Sequence, residues 1–212
     1  MRIVHRAILA SCIGLALSGS AVAEPSGGAW TIEWRAADKR GDFAAAASAL
    51  RIGADRGSAD AQVYLGVYYE TGKGVTKDPV EAVKWYRLAA KQGFAMAQTY
   101  LGDMYAAGYG VAKDPVEAVR WYRLAAAQGY AEAQLNIGVT YIDGGGVAVD
   151  YAEALRWFRL AAVQGNPSAQ FNIGLMYDAG KGVAKDPVEA VRWYQLAAAQ
   201  DFAPAKAKLV GR

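Results

Sequence analysis

The 212-residue chain has one cysteine, Cys12, and one histidine, His5, and both fall within its first 23 residues. Those residues read as an export signal: Arg2 and Arg6 precede an apolar run from Ala7 to Leu17, and Ala21-Val22-Ala23 forms a small-residue cleavage site. The expected mature chain starts near Glu24 and has no cysteine or histidine. That absence excludes Ser-His-Asp and Cys-His nucleophiles, imidazole acid–base chemistry, Cys/His zinc sites, disulfide frameworks and the usual haem ligands. An excess of one charge is missing too, since loss of Arg2 and Arg6 from the 23 basic residues leaves 21 against 20 acidic ones. Nucleic acid is disfavoured as a partner on that balance.

Long apolar runs are also absent: beyond residue 23 no segment approaches the roughly 18 uncharged residues of a membrane span. Leu9-Ala10-Ser11-Cys12 superficially matches the box before a lipidated cysteine. The chain nevertheless stays apolar through Leu17 and the Ala-x-Ala site follows at a normal distance. A soluble periplasmic product is therefore expected, rather than one anchored through Cys12.

What the chain does contain is a repeat. Ala61-Gln62-x-x-Leu65-Gly66-x-x-Tyr69 recurs at Ala97-Gln98, Ala133-Gln134 and Ala169-Gln170, at a constant step of 36 residues. Trp85, Trp121, Trp157 and Trp193 keep the same step, as do Asp78, Asp114, Asp150 and Asp186. Four full units are read at 58–93, 94–129, 130–165 and 166–201. Each holds two helical patterns, because 61, 62, 65, 66 and 69 share one face and Ala82, Trp85, Tyr86 and Ala89 share another. The second helix opens on Asp78-Pro79-Val80-Glu81, which predicts an N-cap Asp, a Pro at the first helical position and a capping-box Glu, and Gly93 closes it. Gly66 and Ala89 are expected to let the helix backbones approach, with Trp85 and Tyr69 filling the space beside them. Residues 24–57 are expected to form N-terminal capping helices with Trp30 and Trp34 on a degenerate first helix, and 202–212 a C-terminal capping helix.

The pattern A-x-x-x-L-G-x-x-Y, G-x-G-V-x-x-D, A-x-x-W-x-x-x-A-A-x-x-G resembles the Sel1-like repeat over about residues 42 to 210. Departures are Tyr151, which replaces the Pro of Asp-Pro, and Asp201, which stands where the last closing Gly belongs. Tetratricopeptide repeats are a near relative, but have a 34-residue period and lack the Gly-x-Gly-Val loop. The resemblance implies an all-α fold, an α/α right-handed superhelical solenoid of helical hairpins, and an adaptor role toward other proteins, often in bacterial envelopes and signalling. A cysteine-rich branch of the family carries disulfides and penicillin-binding or β-lactamase labels. This chain lacks those cysteines, so the labels do not transfer.

Several motifs have a bland explanation. Gly66 and Gly72-Lys73, like Gly174 and Gly180-Lys181, have the wrong spacing for a phosphate loop and no Ser or Thr after the Lys, so the loop glycines are read as turn residues. The row Lys84, Arg120, Arg156 and Arg192 follows Glu81, Glu117, Glu153 and Glu189 by three residues, which marks a solvated helix face. Arg87, Arg123 and Arg159 stand one turn further on. The repeated Trp residues are read as core rather than as a sugar-stacking platform.

Function is sought where the units differ, since stacking fixes the shared positions. On the first helices the divergent face carries Val63, Val67, Thr99, Asp103, Leu135, Val139, Asp143, Phe171, Leu175 and Asp178. First helices line the concave side of such solenoids, and Leu135, Val139, Phe171 and Leu175 would anchor an extended peptide or a partner helix, unless neighbouring repeats or the terminal helix cover them. Asn136 and Asn172 stand beside this stripe. The expected function is a non-catalytic exported scaffold, a monomer without cofactor or metal, that binds a protein or peptide in its groove during envelope signalling or assembly. The alternatives are a protein binding cell-wall glycan or peptide through Tyr68 and Tyr109, or an envelope hydrolase using carboxylates such as Asp103, Asp143 and Asp178.

Overall fold

A computed structural model describes residues 28–211. The export signal at 1–23 and the Cys12 anchoring alternative lie outside the described residues. The described chain holds eleven helices: α1 Ala29–Lys39, α2 Phe43–Asp55, α3 Ala59–Thr71, α4 Pro79–Lys91, α5 Ala95–Ala107, α6 Pro115–Ala127, α7 Ala131–Asp143, α8 Tyr151–Val163, α9 Pro167–Ala179, α10 Pro187–Ala198 and α11 Ala203–Val210. No described residue is in a strand. The chain divides into two compact units at Asp114/Pro115. One holds α1 to α5 and the other α6 to α11, and within each unit every helix packs on its neighbours in the chain. The all-α repeat of helical hairpins is as the 36-residue pattern requires.

Local chemistry sets the helix ends. Asp78 Oδ1 accepts from the backbone N–H groups of Val80 and Glu81, and Asp186 caps α10 in the same way. The reciprocal half of the expected capping box is not made, because the Asp78 N–H donates to the Tyr69 carbonyl at 2.8 Å and the Glu81 carboxylate turns to Lys84. At the far end Gly93 takes φ +86° and Phe94 N–H returns to the Ala89 carbonyl, a Schellman-type closure.

The Gly of three of the Leu/Ile-Gly pairs serves ring packing. A Cβ on Gly66 would stand 2.5 Å from the Tyr86 ring, and the same holds for Gly138 against Phe158 and Gly174 against Tyr194. The ring that lies against Gly66 is thus that of Tyr86 on α4. Tyr86, Tyr194 and Phe158 are fully buried, whereas Trp85 is buried and Trp121, Trp157 and Trp193 are half-buried. The indole N–H of all four Trp is buried without a protein hydrogen-bond partner, so these residues contribute through ring area.

The Gly-x-Gly loops close the joints. In the first, Gly74 has φ +70° and a Cβ there would lie 2.0 Å from the Phe43 carbonyl at the start of α2. Only glycine fits so near a preceding helix.

Candidate functional site

Several of the side chains that join repeats are ones the sequence repeats. Buried Gln62, at the start of α3, donates to the Ala54 carbonyl at the end of α2 and accepts from the Gln92 amide, so it gives that last-turn carbonyl a second bond beside the one from the Gly57 N–H. Gln134 and Gln170 do the same for Ala126 and Ala162. The second basic row belongs to the joints as well: Arg51, Arg87, Arg123 and Arg159 donate to the hydroxyls of Tyr69, Tyr105, Tyr141 and Tyr177 at 2.6, 3.1, 3.2 and 3.2 Å. The first basic row pairs with its own helix, as Lys84–Glu81, Arg120–Glu117, Arg156–Glu153 and Arg192–Glu189. Lys73 donates to Asp38 at 2.6 Å and lies over the Phe43 ring, so it is committed to packing.

The divergent first-helix residues fall into two groups. Val63, Thr99, Asp103, Val139 and Phe171 are buried, which corrects the expectation of an open stripe through them. The Phe171 ring lies 5.4 Å from Tyr194 and 5.6 Å from Phe202, so α10 and the approach to α11 cover it. Thr99 spends its hydroxyl on the Ala95 carbonyl. Val67, Leu135, Leu175 and Asp178 are half-buried and Asp143 is exposed. Within the second unit the accessible part of the face is therefore Leu135, Asp143, Leu175 and Asp178. Asp178 accepts from the Tyr194 hydroxyl at 2.7 Å, an inter-helix bond that its place on a divergent face did not announce. Asn136 and Asn172 are buried.

Glu132 belongs to the same face. It sits in the first turn of α7 and accepts from the amide of Asn166, the N-cap of α9, at 2.9 Å. Burial pushes its carboxyl above the usual range, and the Asn166 bond offsets part of that rise. The sequence marks position 132 as divergent, its equivalents being Asp60, Met96 and Ser168.

Tyr68, expected as an exposed stacking ring, is buried. Its hydroxyl donates to Asp38 and accepts from the Trp34 indole N–H at 3.4 Å. Among the described residues no group of three or more His, Cys, Asp or Glu side chains gathers as a metal site. No described helix is long and apolar enough to cross a membrane.

The chain matches the family model described as Sel1 repeat four times, over residues 59–94, 95–130, 131–166 and 167–202. No curated protein matches it. Among solved structures it is similar to a Sel1 repeat protein from Oxalobacter formigenes, at 38% identity and a TM-score of 0.75, covering 84% of this chain and 71% of that one. It is also similar to c5321, a protective antigen of uropathogenic Escherichia coli strains with an SLR fold, at 46% identity and a TM-score of 0.70 over 73% of this chain. That overlap spans 33% of the antigen.

Proposed function

The chain belongs to the Sel1 repeat family, and from that premise we propose that it is a non-catalytic exported scaffold binding a protein or peptide partner on the first-helix face of its second unit. The observation that carries this reading is the division of labour between repeated and divergent positions. Residues that join helices, such as Gln134 and Tyr141, recur at the equivalent place in every unit, while Leu135, Asp143 and Leu175 differ from their counterparts and keep surface in contact with solvent. A preorganised helical face loses little conformational entropy on binding, so a few apolar anchors beside carboxylates suffice for micromolar affinity. Export rests on Arg2, Arg6, the Ala7–Leu17 run and the Ala21-Val22-Ala23 site, and places the partner in the cell envelope.

Two tests address the parts separately. A photo-crosslinking residue in place of Leu135 or Leu175 is expected to trap one and the same envelope protein in cells, while the same residue in place of Ile52 on α2 traps none of it. Equal trapping from all three positions would place the partner elsewhere. A cleaved product beginning near Glu24 in the periplasmic fraction is the expected outcome for export. An uncleaved chain in the cytoplasm would refute it.

A further inference from the structure

One polar side chain of the second unit has no use in the stack. Asn172 on α9 is 7% exposed, yet its amide makes no hydrogen bond with any described residue, and the amide atoms open to solvent rather than being enclosed. Buried amides are ordinarily bonded, because burial without a partner costs free energy. The equivalent places in the first unit hold Tyr64 and Tyr100, whose rings pack on Trp34 and Tyr86. Here the shorter Asn stands in place of a ring, and Leu175 follows three residues on, half-buried on the same side of α9.

Charge on this side is almost of one sign. Together α7 and α9 contain Glu132, Asp143 and Asp178 and neither Lys nor Arg. The bonds that Glu132 and Asp178 accept from Asn166 and Tyr194 come from neutral groups and cancel no charge. The arginines of the second helices are occupied elsewhere, Arg120, Arg156 and Arg192 with glutamates of their own helices and Arg123 and Arg159 with tyrosine hydroxyls. On α11 Lys206 pairs with Asp201, which leaves Lys208 as the one cation on the first helices of this unit to set against three carboxylates.

We propose that the first-helix face of the second unit takes an extended peptide segment carrying a Lys or Arg beside an aliphatic residue, with the Asn172 amide bonding its main chain. The proposal rests on the first-helix reading above and gives that partner its chemistry. A side-chain amide donates and accepts at once, and so matches the N–H and C=O of an extended main chain. A helical partner has those groups already bonded within itself. Leu135 and Leu175 offer contact to the aliphatic side chain, while Asp143 and Asp178 attract the cation. An acidic segment would meet like charge on both helices.

The test is selection of a displayed library of short random peptides on the full chain. Selected peptides are expected to carry Lys or Arg next to Leu, Ile or Val. Their affinity, read by fluorescence anisotropy, is expected to fall about fivefold with Asn172→Leu and about threefold with Asp178→Asn, which keeps an acceptor for Tyr194. Both variants are checked for unchanged helicity. Methylating the main-chain nitrogens of a selected peptide one at a time is expected to cost as much at one position, and to make Asn172→Leu silent for that methylated peptide. Acidic peptides, no selected peptide at all, or peptides indifferent to both substitutions overturn the proposal. Leu135→Glu then separates it from the reading it rests on. Peptides that lose binding there leave the first-helix face as the partner site, and peptides indifferent to that change as well remove both. With nothing selected, the crosslinks from Leu135 and Leu175 judge the face alone.

Discussion

The two ends of the described chain are closed in different ways. At the N-terminal end α1 and α2 bury Trp30 and Trp34, and Trp30 lies so close over Gly53 that a Cβ there would stand 2.6 Å from the ring. The Trp34 ring packs 4.4 Å from Tyr64, and a polar chain of Trp34, Tyr68, Asp38 and Lys73 fastens α1 to α3. At the C-terminal end one short helix, α11, fully buries only Ala205 and rests on Phe202 and half-buried Leu209. The turn before it places Asp201 at φ +61°, where the other closures use glycine. A terminal repeat has no neighbour to cover it, so each end must supply its own cover. Aromatic area with a partly buried polar tie is the stronger solution, and the lone helix is the one more open to fraying.

The comparison can be broken most severely at Trp34. Trp34→Ala removes a buried ring from the α1–α3 contact and is expected to cost about 3–5 kcal/mol, read as a lower denaturation midpoint. Phe202→Ala at the other end removes a half-buried ring and is expected to cost about 1–2 kcal/mol by the same measurement. Equal losses would mean that the two ends are held equally well.

The polar tie gives a smaller effect with a pH signature. Burial raises the Asp38 pKa, but the Lys73 ammonium and the Tyr68 hydroxyl together bring it below its ordinary value. A carboxylate lowered in the folded state lends stability that is complete above the unfolded value near pH 4 and is lost as pH falls through the folded value. The side chain keeps 24% of its surface exposed, which screens the interaction and limits its contribution to about 1 kcal/mol. Asp38→Asn is therefore expected to lower stability by a constant small amount above about pH 4, with the gap to wild type closing at lower pH. A gap that persists unchanged into acid would show that ionisation has no part in it. The smallest change is expected from Asp201→Gly, which relieves a left-handed backbone while giving up the exposed contact of Asp201 with Lys206. A slight rise in melting temperature is the expected result, and a fall would give the ion pair more weight than the backbone.

Much of the architecture was legible in advance because it is written in local chemistry. The Asp-Pro helix starts, the Gly closures and the Glu–Arg pairs all involve residues within one or two turns of each other, and the 36-residue step shows as identity at a fixed spacing. The proposed partner-binding face was less legible. Its positions were named from divergence, but Phe171 proves to be covered by Tyr194 and Phe202, and Glu132 joins the face through Asn166, 34 residues away. A helical period tells which residues share a side of a helix and is silent on which neighbour stands against that side.

By itself, the sequence determined the repeat, the hairpins, their caps and the family, since each follows from side chains acting over a few bonds of their own backbone or from identity at a fixed step. Only the tertiary structure decided that Gly66 serves the Tyr86 ring, that Gln62 closes the end of α2, that Arg51 reaches Tyr69, and which leucines keep contact with water. Those outcomes depend on the distance and rotation between packed helices, and small changes in either exchange one neighbour for another without altering any local propensity.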